Sequence, residues 1–370
     1  MRILEFGEVP PPFGGVTVHL RRLLNRLVDD GFDLSLVARQ LPQHLDRRIP
    51  YVRWPTLPRY VNHFEFLRGL NQPFGTGVLH LHTNPVFFAP LVWLHIVRGG
   101  LALITVHDES VGERLSRAPW HEQVCFRLLT RSNRVRWIAV SDPIRGFLRR
   151  RGIPADQISV IPAYLTDQGD ESSSNLPDEL AGFLLDHPES IVVYGYKREF
   201  LAGHDLYGFD FALDVLAKVV SSRPQVGLVM LCPDGDRDAE PWKQLTDMAK
   251  SMAISQNVLF FLRPISRPLV LWQQCTVMIR PTLTDGDSVA VREMLALGRA
   301  VIASNVAPRP AFVKVLPLGS SHEWADAVLE CLAATDPTPI DRTTLQDGYV
   351  ELRQLILSCA GGTSYAEESQ

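Results

Sequence analysis

The chain has 370 residues, 46% hydrophobic and 21% charged, with a formal net charge of −4. That is apolar material for two domain cores of ordinary size, which excludes a disordered chain, and the weakly acidic balance excludes general nucleic-acid binding. Five cysteines (Cys125, Cys232, Cys275, Cys331 and Cys359) are far apart, odd in number and without a C-x-x-C pair. They read as buried reduced thiols of a cytosolic protein, with no disulfide framework and no metal site.

The opening "MRILEF" is a strand pattern without a basic, apolar and small-residue leader, so no export signal is expected. The strand ends at Gly7, a proline-rich loop follows, and Gly14-Gly15 open a helix whose Val16, Leu20, Leu23, Leu24 and Leu27 recur at helical spacing until Gly31 stops it. Paired glycines at a helix mouth let an anion such as a diphosphate approach free backbone N–H groups. A tight strand-to-helix turn requires glycine for its own reasons, so both explanations stand. The loop is not G-x-G-x-x-G, and no nicotinamide cofactor is indicated. His19, beside the apolar stripe, is a candidate for the same crevice or a partly buried bystander.

Short apolar runs then alternate with helix-period segments: "DLSLVAR", "GVLHLH", "LALITVH", "RWIAVS" and "ISVIPA", up to about residue 163. The run "VFFAPLVWLHIV" at 86 to 97 is shorter than the roughly 20 residues needed to cross a bilayer and reads as a buried helix. Between Arg114 and Arg151 there are ten arginines against two acids, Glu122 and Asp142. With Ile144, Phe147 and Leu148 among them, this composition suits peripheral contact with an anionic membrane; the alternative is an ordinary solvated helix face.

"TDQGDESSSNLPDE" is the most polar and least periodic stretch and reads as a linker. The domains are accordingly 1–165, a linker at 166–179, 180–345, a C-terminal helix at 346–362 that closes the second domain or returns to the first, and a tail at 363–370. Alternation resumes after the linker with "SIVVYGY", "VGLVMLC", "VLFFL", "CTVMIRP" and "AVIAS". The fold class is α/β, two Rossmann-like, doubly wound parallel sheets with ligands beyond the strand C-termini.

"CTVMIRP" reads as a buried strand and Val289 to Leu297 as a helix stopped by Gly298, so "TLTDGDS" sits at the ligand-binding edge of the second sheet. Asp285-Gly286-Asp287 spells D-x-D, the carboxylate clamp by which many sugar-transferring enzymes hold a divalent metal. Placed at a helix mouth, with Glu293 one turn inside the helix, it reads instead as a cradle. The amides near Gly286, Asp287, Ser288 and Val289 would face an anion, and Asp285 and Glu293 hydroxyl groups on either side. A third reading makes the aspartates simple helix caps.

These residues, with "PPPFGGVTVHLRRL", "VLHLH", "ITVHD", "IAVSDPIRGFLRRRGIPADQISVIPA" and "ALGRAVIASNV", resemble the family 4 retaining glycosyltransferases of GT-B fold over roughly residues 1 to 335. The resemblance implies two domains facing a central cleft and transfer of a sugar from a nucleotide-sugar donor to a glycan, lipid-linked or small-molecule acceptor. It implies retention at the anomeric carbon, no cofactor and no required metal, in the cytoplasm or at the inner face of the membrane. The family's E-x7-E motif corresponds to Asp285-x7-Glu293, with Asp285 on the donor sugar, the amides of Asp287 to Val289 on the diphosphate and Glu293 on the ribose. Gly14 and Gly15 match the first-domain glycine loop, and His107 the histidine near the transferred sugar. The pattern departs where the family shows Gly-Arg and then Lys-Gly, since this chain has Gly195-Tyr196 and Tyr207-Gly208. Lys197 and Arg198 are the candidates to supply that charge. Without it, a catalytically silent GT-B-like accessory protein is the alternative, and a nucleotide-sugar epimerase the other.

Overall fold

The computed structural model describes residues 2–10, 14–40, 45–53, 77–166, 175–236, 239–265, 267–334, 345 and 347–359. The chain divides into two units, Met1–Asp167 together with Asp347–Gln370, and Gln168–Gln346. Each is built on its own parallel sheet.

In the first unit the elements run β1 (Arg2–Phe6), α1 (Gly15–Asp29), β2 (Asp33–Ala38), β3 (Tyr51–Arg53), β4 (Val78–Leu81), α2 (Ala89–Val97), β5 (Leu101–Val106), α3 (Ser110–Arg117), α4 (Trp120–Leu129), β6 (Val135–Ala139), α5 (Asp142–Arg150) and β7 (Ile158–Val160). The sheet order is β3-β2-β1-β4-β5-β6-β7, all parallel, so the winding reverses between β1 and β4. Both faces are covered, and the strands are apolar nearly throughout. Leu4, Phe6, Leu79, Leu81, Ile104 and Val106 enter one core cluster, while Ile3, Val78 and Leu103 enter the other. Strand alternation puts Glu5, His80 and Thr105 on the Ile3 face, where α1 lays Leu20, Leu23, Leu24 and Leu27.

The closing helix, Tyr349–Cys359, packs Tyr349, Leu352 and Ile356 on that same cluster. Polar groups fix its entry. Arg26 pairs with Asp347 at 2.6 Å, and Asp30 accepts from the Tyr349 hydroxyl at 2.7 Å and from Arg353 at 2.6 Å. Burial of Leu352 and Ile356 contributes about 1.5–3 kcal/mol each.

The second unit runs α6 (Asp178–Asp186), β8 (Ser190–Tyr194), a hairpin of β9 (Phe200–Leu201) and β10 (His204–Asp205), α7 (Phe209–Ser222), β11 (Gly227–Leu231), α8 (Glu240–Ser251), β12 (Val258–Phe261), α9 (Leu269–Gln274), β13 (Val277–Arg280), α10 (Val289–Ala296), β14 (Ala300–Ser304), β15 (Lys314–Leu316) and α11 (Ser321–Ala333). Its sheet order, β12-β11-β8-β13-β14-β15, is again parallel and reverses between β8 and β13. A crevice at a reversal of this kind is where open α/β sheets bind ligands.

The polar 166–179 stretch is not uniform. Residues 167–174 lie outside the described residues, but Asp178 already begins α6, with Pro177 ahead of it and Leu180 and Leu184 buried. Two acids in a first turn favour a helix start, which polarity alone conceals. The 363–370 tail lies outside the described residues. "VFFAPLVWLHIV" forms α2, and no helix among the described residues is long and apolar enough to cross a membrane.

Candidate functional site

Beyond β13, the loop 281–288 leads into α10, beside the end of β8. Arg280, the last residue of β13, is buried, and its guanidinium takes Asp285 in a bidentate grip: Nε to Oδ2 at 3.0 Å and Nη2 to Oδ1 at 3.0 Å. Its Nη1 donates to the Tyr194 carbonyl at 2.7 Å. Arg309 approaches the same carboxylate, Nη1 to Oδ2 at 2.6 Å, and anchors itself on Ser304 O at 3.0 Å. All three side chains are at most 8% exposed. Burial alone would raise the Asp285 pKa, but Arg280 and Arg309 together hold it below 3.8. The cluster therefore carries a net charge of about +1 at neutral pH.

Asp287 turns elsewhere, to Arg292 at 2.6 Å. Ser288 is the N-cap of α10 and makes no side-chain capping bond. The helix-cap reading of Asp285 is thus not what the structure has, since its carboxylate is spent on arginines. Asp285 and Asp287 also face different cations. Glu293 lies buried in α10 and accepts from Trp272 Nε1, in α9, at 2.7 Å. Gly286 lies within this loop, and Val289 is the first residue of α10.

Lys197 and Arg198 have other engagements. Lys197, 43% exposed, pairs with Glu199 at 2.7 Å. Arg198 is buried against Asp205 at 2.8 Å, donates to the Pro241 carbonyl, and lies over the Phe200 and Trp242 rings. Asp205 in turn accepts from the amides of Tyr207 and Gly208 at 3.0 Å, closing the turn into α7. Gly208 is required there: its φ is +68°, and a Cβ would stand 2.5 Å from the Pro281 carbonyl. Arg280 lies over the Tyr207 ring, its guanidinium carbon 5.3 Å from the centroid.

In the first unit, Gly14 is the N-cap of α1 and Thr17 closes its box, with Gly14 N to Thr17 Oγ1 at 2.9 Å. A Cβ on Gly15 would meet nothing within 4 Å, so packing alone does not demand glycine at that position. His107 follows β5, and its Nε2 is buried without a hydrogen-bond partner among the described residues. Its ring centroid is 5.5 Å from His19 and 6.0 Å from His82. Burial, then the neighbouring histidines, pushes its pKa well below 6.5. His19 donates Nδ1–H to the Ala163 carbonyl at 2.6 Å, which leaves its Nε2 unprotonated, and burial pushes it down to about 3.

Residues 13–163 match the family model described as Glycosyltransferase Family 4, and residues 200–334 match that of Glycosyl transferases group 1. The chain is a family 4 glycosyltransferase of GT-B fold. No curated protein matches it in sequence. Among solved structures it is similar to a glycosyltransferase from Rickettsia africae ESF-5, at 13% identity over 98% of this chain and 99% of that one, with a TM-score of 0.73. It is also similar to WaaG, a glycosyltransferase involved in lipopolysaccharide biosynthesis (11% identity, 97% and 100% covered, TM-score 0.67), and to Anabaena HepE in complex with UDP and glucose (14%, 98% and 97%, 0.68).

Within this glycosyltransferase the residues that sequence reasoning passed over are Arg280 and Arg309. The signal for Arg280 was an arginine ending an otherwise apolar strand, "VMIR", where a charge is buried only with a partner. Arg309 had no local signal, because its loop contributes through a carboxylate 24 residues away in sequence.

Asp285→Asn keeps the shape and removes the counter-charge of two buried guanidiniums, which costs about 3–5 kcal/mol. Because the folded-state pKa of Asp285 is depressed, that contribution is present above 3.8 and disappears as pH falls through the folded value. Urea unfolding of both proteins should show a constant gap between pH 5 and 8 that narrows below about pH 4.

Proposed function

We propose that this glycosyltransferase uses a nucleoside-diphosphate sugar and transfers the sugar with retention, without a catalytic metal, to a glycan, lipid-linked or small-molecule acceptor. The observation that carries the reading is the buried Arg280–Asp285–Arg309 cluster beside the mouth of α10. As the donor bond breaks, negative charge grows on the leaving diphosphate, and a fixed, dry, net-positive cluster stabilises it without reorganising. One well-placed donor group of this kind is worth about 3 kcal/mol. Tyr196 and Tyr207 leave the usual cation positions neutral, and Arg280 over the Tyr207 ring brings charge back to that neighbourhood from β13. Guanidiniums suit the task because they stay charged and hold a fork geometry.

Metal independence is favoured by the two aspartates of the D-x-D turning to separate arginines, so that a Mg²⁺ clamp would have to break both pairs. Asp285 accepts three hydrogen bonds, two on Oδ2 and one on Oδ1. A carboxylate has about four acceptor sites, which leaves one on Oδ1 for a donor-sugar hydroxyl. Glu293 is assigned to the ribose and the amides of Asp287 to Val289 to the diphosphate. Gly14, Gly15 and His107 keep the roles that family resemblance gives them. HepE, similar in fold, binds UDP and glucose, which puts UDP-sugars first among the donors to test.

Contact with an anionic membrane is proposed through the Arg-rich 114–151 region, on α4 rather than on α5. Ile144, Phe147 and Leu148 are at most 6% exposed and face the core, so none of these three reaches lipid from α5. On α4, by contrast, Trp120, Val124 and Leu128 are 77%, 44% and 39% exposed at four-residue spacing, with exposed Arg117, Arg127 and Arg131 around them. Each basic side chain near an anionic surface contributes about 1 kcal/mol. WaaG, a fold relative, takes part in lipopolysaccharide biosynthesis, which agrees with a lipid-linked acceptor.

Calorimetry against UDP-, GDP- and ADP-sugars should find a binder whose Kd changes less than about twofold on adding Mg²⁺, since each carboxylate already has its cation. Glu293→Gln should weaken that binding by about tenfold or more, the loss of one charge-assisted hydrogen bond, with a much smaller effect on melting. A strict Mg²⁺ requirement, or equal losses of affinity and stability, contradicts the assignment. In flotation at physiological salt, vesicles containing anionic phospholipid should carry the protein, and Trp120→Ser with Arg127→Glu should release it. Flotation unchanged by the pair would rule out α4 as the contact.

A further inference from the structure

We propose that Glu5, His80 and His82 form a site for one divalent first-row transition-metal ion of the Zn²⁺ class, built into the first unit's sheet. Glu5 of β1 and His80 of β4 are register partners, and His82 lies two residues on, so strand alternation brings all three to one face. His82 N still donates to the Phe6 carbonyl at 2.8 Å, which holds it in the ladder. The three side chains form a triangle whose facing atoms are close, with the contacts to Glu5 falling on its two separate oxygens: His80 Nδ1 to Glu5 Oε1 3.2 Å, His82 Nε2 to Glu5 Oε2 3.1 Å, and His82 Nε2 to His80 Nδ1 3.2 Å. Ligands held at about 2.0–2.1 Å around a tetrahedral Zn²⁺ are separated by about 3.3 Å, which the two ring nitrogens at 3.2 Å already match, with a Glu5 oxygen within reach of each.

Without a cation the triangle is awkward. Two ring nitrogens at 3.2 Å either crowd two N–H groups together or set a lone pair against the carboxylate. Glu5 is 0% exposed, and its polar partners among the described residues are these two histidines, with no arginine or lysine. An ionised carboxylate taken so far from water needs a counter-charge, and a divalent ion shared by three lone pairs supplies it. The outer contacts also fit. His80 Nε2 lies 2.8 Å from Thr105 Oγ1 on β5, the kind of partner that fixes the tautomer of a metal-bound imidazole. Around the triangle, His19 Nε2 and His107 Nε2 are buried with no hydrogen-bond partner among the described residues, polar groups that water near the ion would satisfy. The donor set, two imidazoles and a carboxylate, suits Zn²⁺ and its neighbours and not Mg²⁺. The ion ties β1 to β4 and takes no part in the D-x-D loop of the other unit.

Tag-free protein is stripped with chelator, dialysed against Zn²⁺ and desalted, and its metal content and melting are measured; Co²⁺ loading adds a visible spectrum. The expected result is about one Zn²⁺ per chain and a melting temperature that rises on loading. Glu5→Gln and His82→Gln should each lose the retained ion, the Co²⁺ absorption and the melting response, either variant sufficing if the other fails to fold. Stripped protein that takes up no Zn²⁺, or variants that retain it like the parent, would overturn the site.

Discussion

One carboxylate held between two buried guanidiniums organises the second unit's ligand edge. Asp285 could not remain ionised at 8% exposure without Arg280 and Arg309, and neither arginine could stay buried without a shared anion. Much else is arranged around that constraint. Arg280 is aimed by the Tyr194 carbonyl at the end of β8 and stacked on Tyr207, while Arg309 is tied to Ser304 at the end of β14. Three strand ends of the sheet thus meet at one charge cluster, beside the helix mouth where a diphosphate is expected.

The same geometry suits an aspartate at 285, where the family resemblance implies a glutamate. The bidentate grip from Arg280 spans only five residues, and the shorter side chain keeps both oxygens within 3.0 Å of a guanidinium that is itself anchored in the strand. Under the proposed function, the charge that the family resemblance would place at Tyr196 and Tyr207 comes instead from Arg280 of β13, which lies over the Tyr207 ring.

Alternating apolar runs made the two parallel sheets legible, because strands buried on both faces read as short β-branched segments between helix periods, and β1, β4, β8 and β13 all came out of that pattern. The helix mouth at Ser288 was legible for the same reason. Partners were not. Lys197 and Arg198 looked like diphosphate ligands through adjacency to Tyr196, yet Arg198 closes a hairpin onto Asp205, and only the fold shows that. Ile144, Phe147 and Leu148 looked like lipid contacts because arginines surround them in sequence, whereas helical phase turns them inward. The Glu5–His80–His82 triangle was hidden in "LEF" and "LHLH", two ordinary strand patterns, until the β1–β4 register set them opposite each other.

In the proposed function, Arg280 does the electrostatic work of the cations that the resemblance implies at Tyr196 and Tyr207. The most direct measurement is the donor affinity of Arg280→Met alone and combined with Tyr207→Lys, each checked for folding by melting. If the account is right, the single variant loses at least about tenfold in affinity, and lysine at 207 restores most of it, since a double substitution of neighbours exposes their coupling. Donor binding by Arg280→Met at parental strength would contradict it.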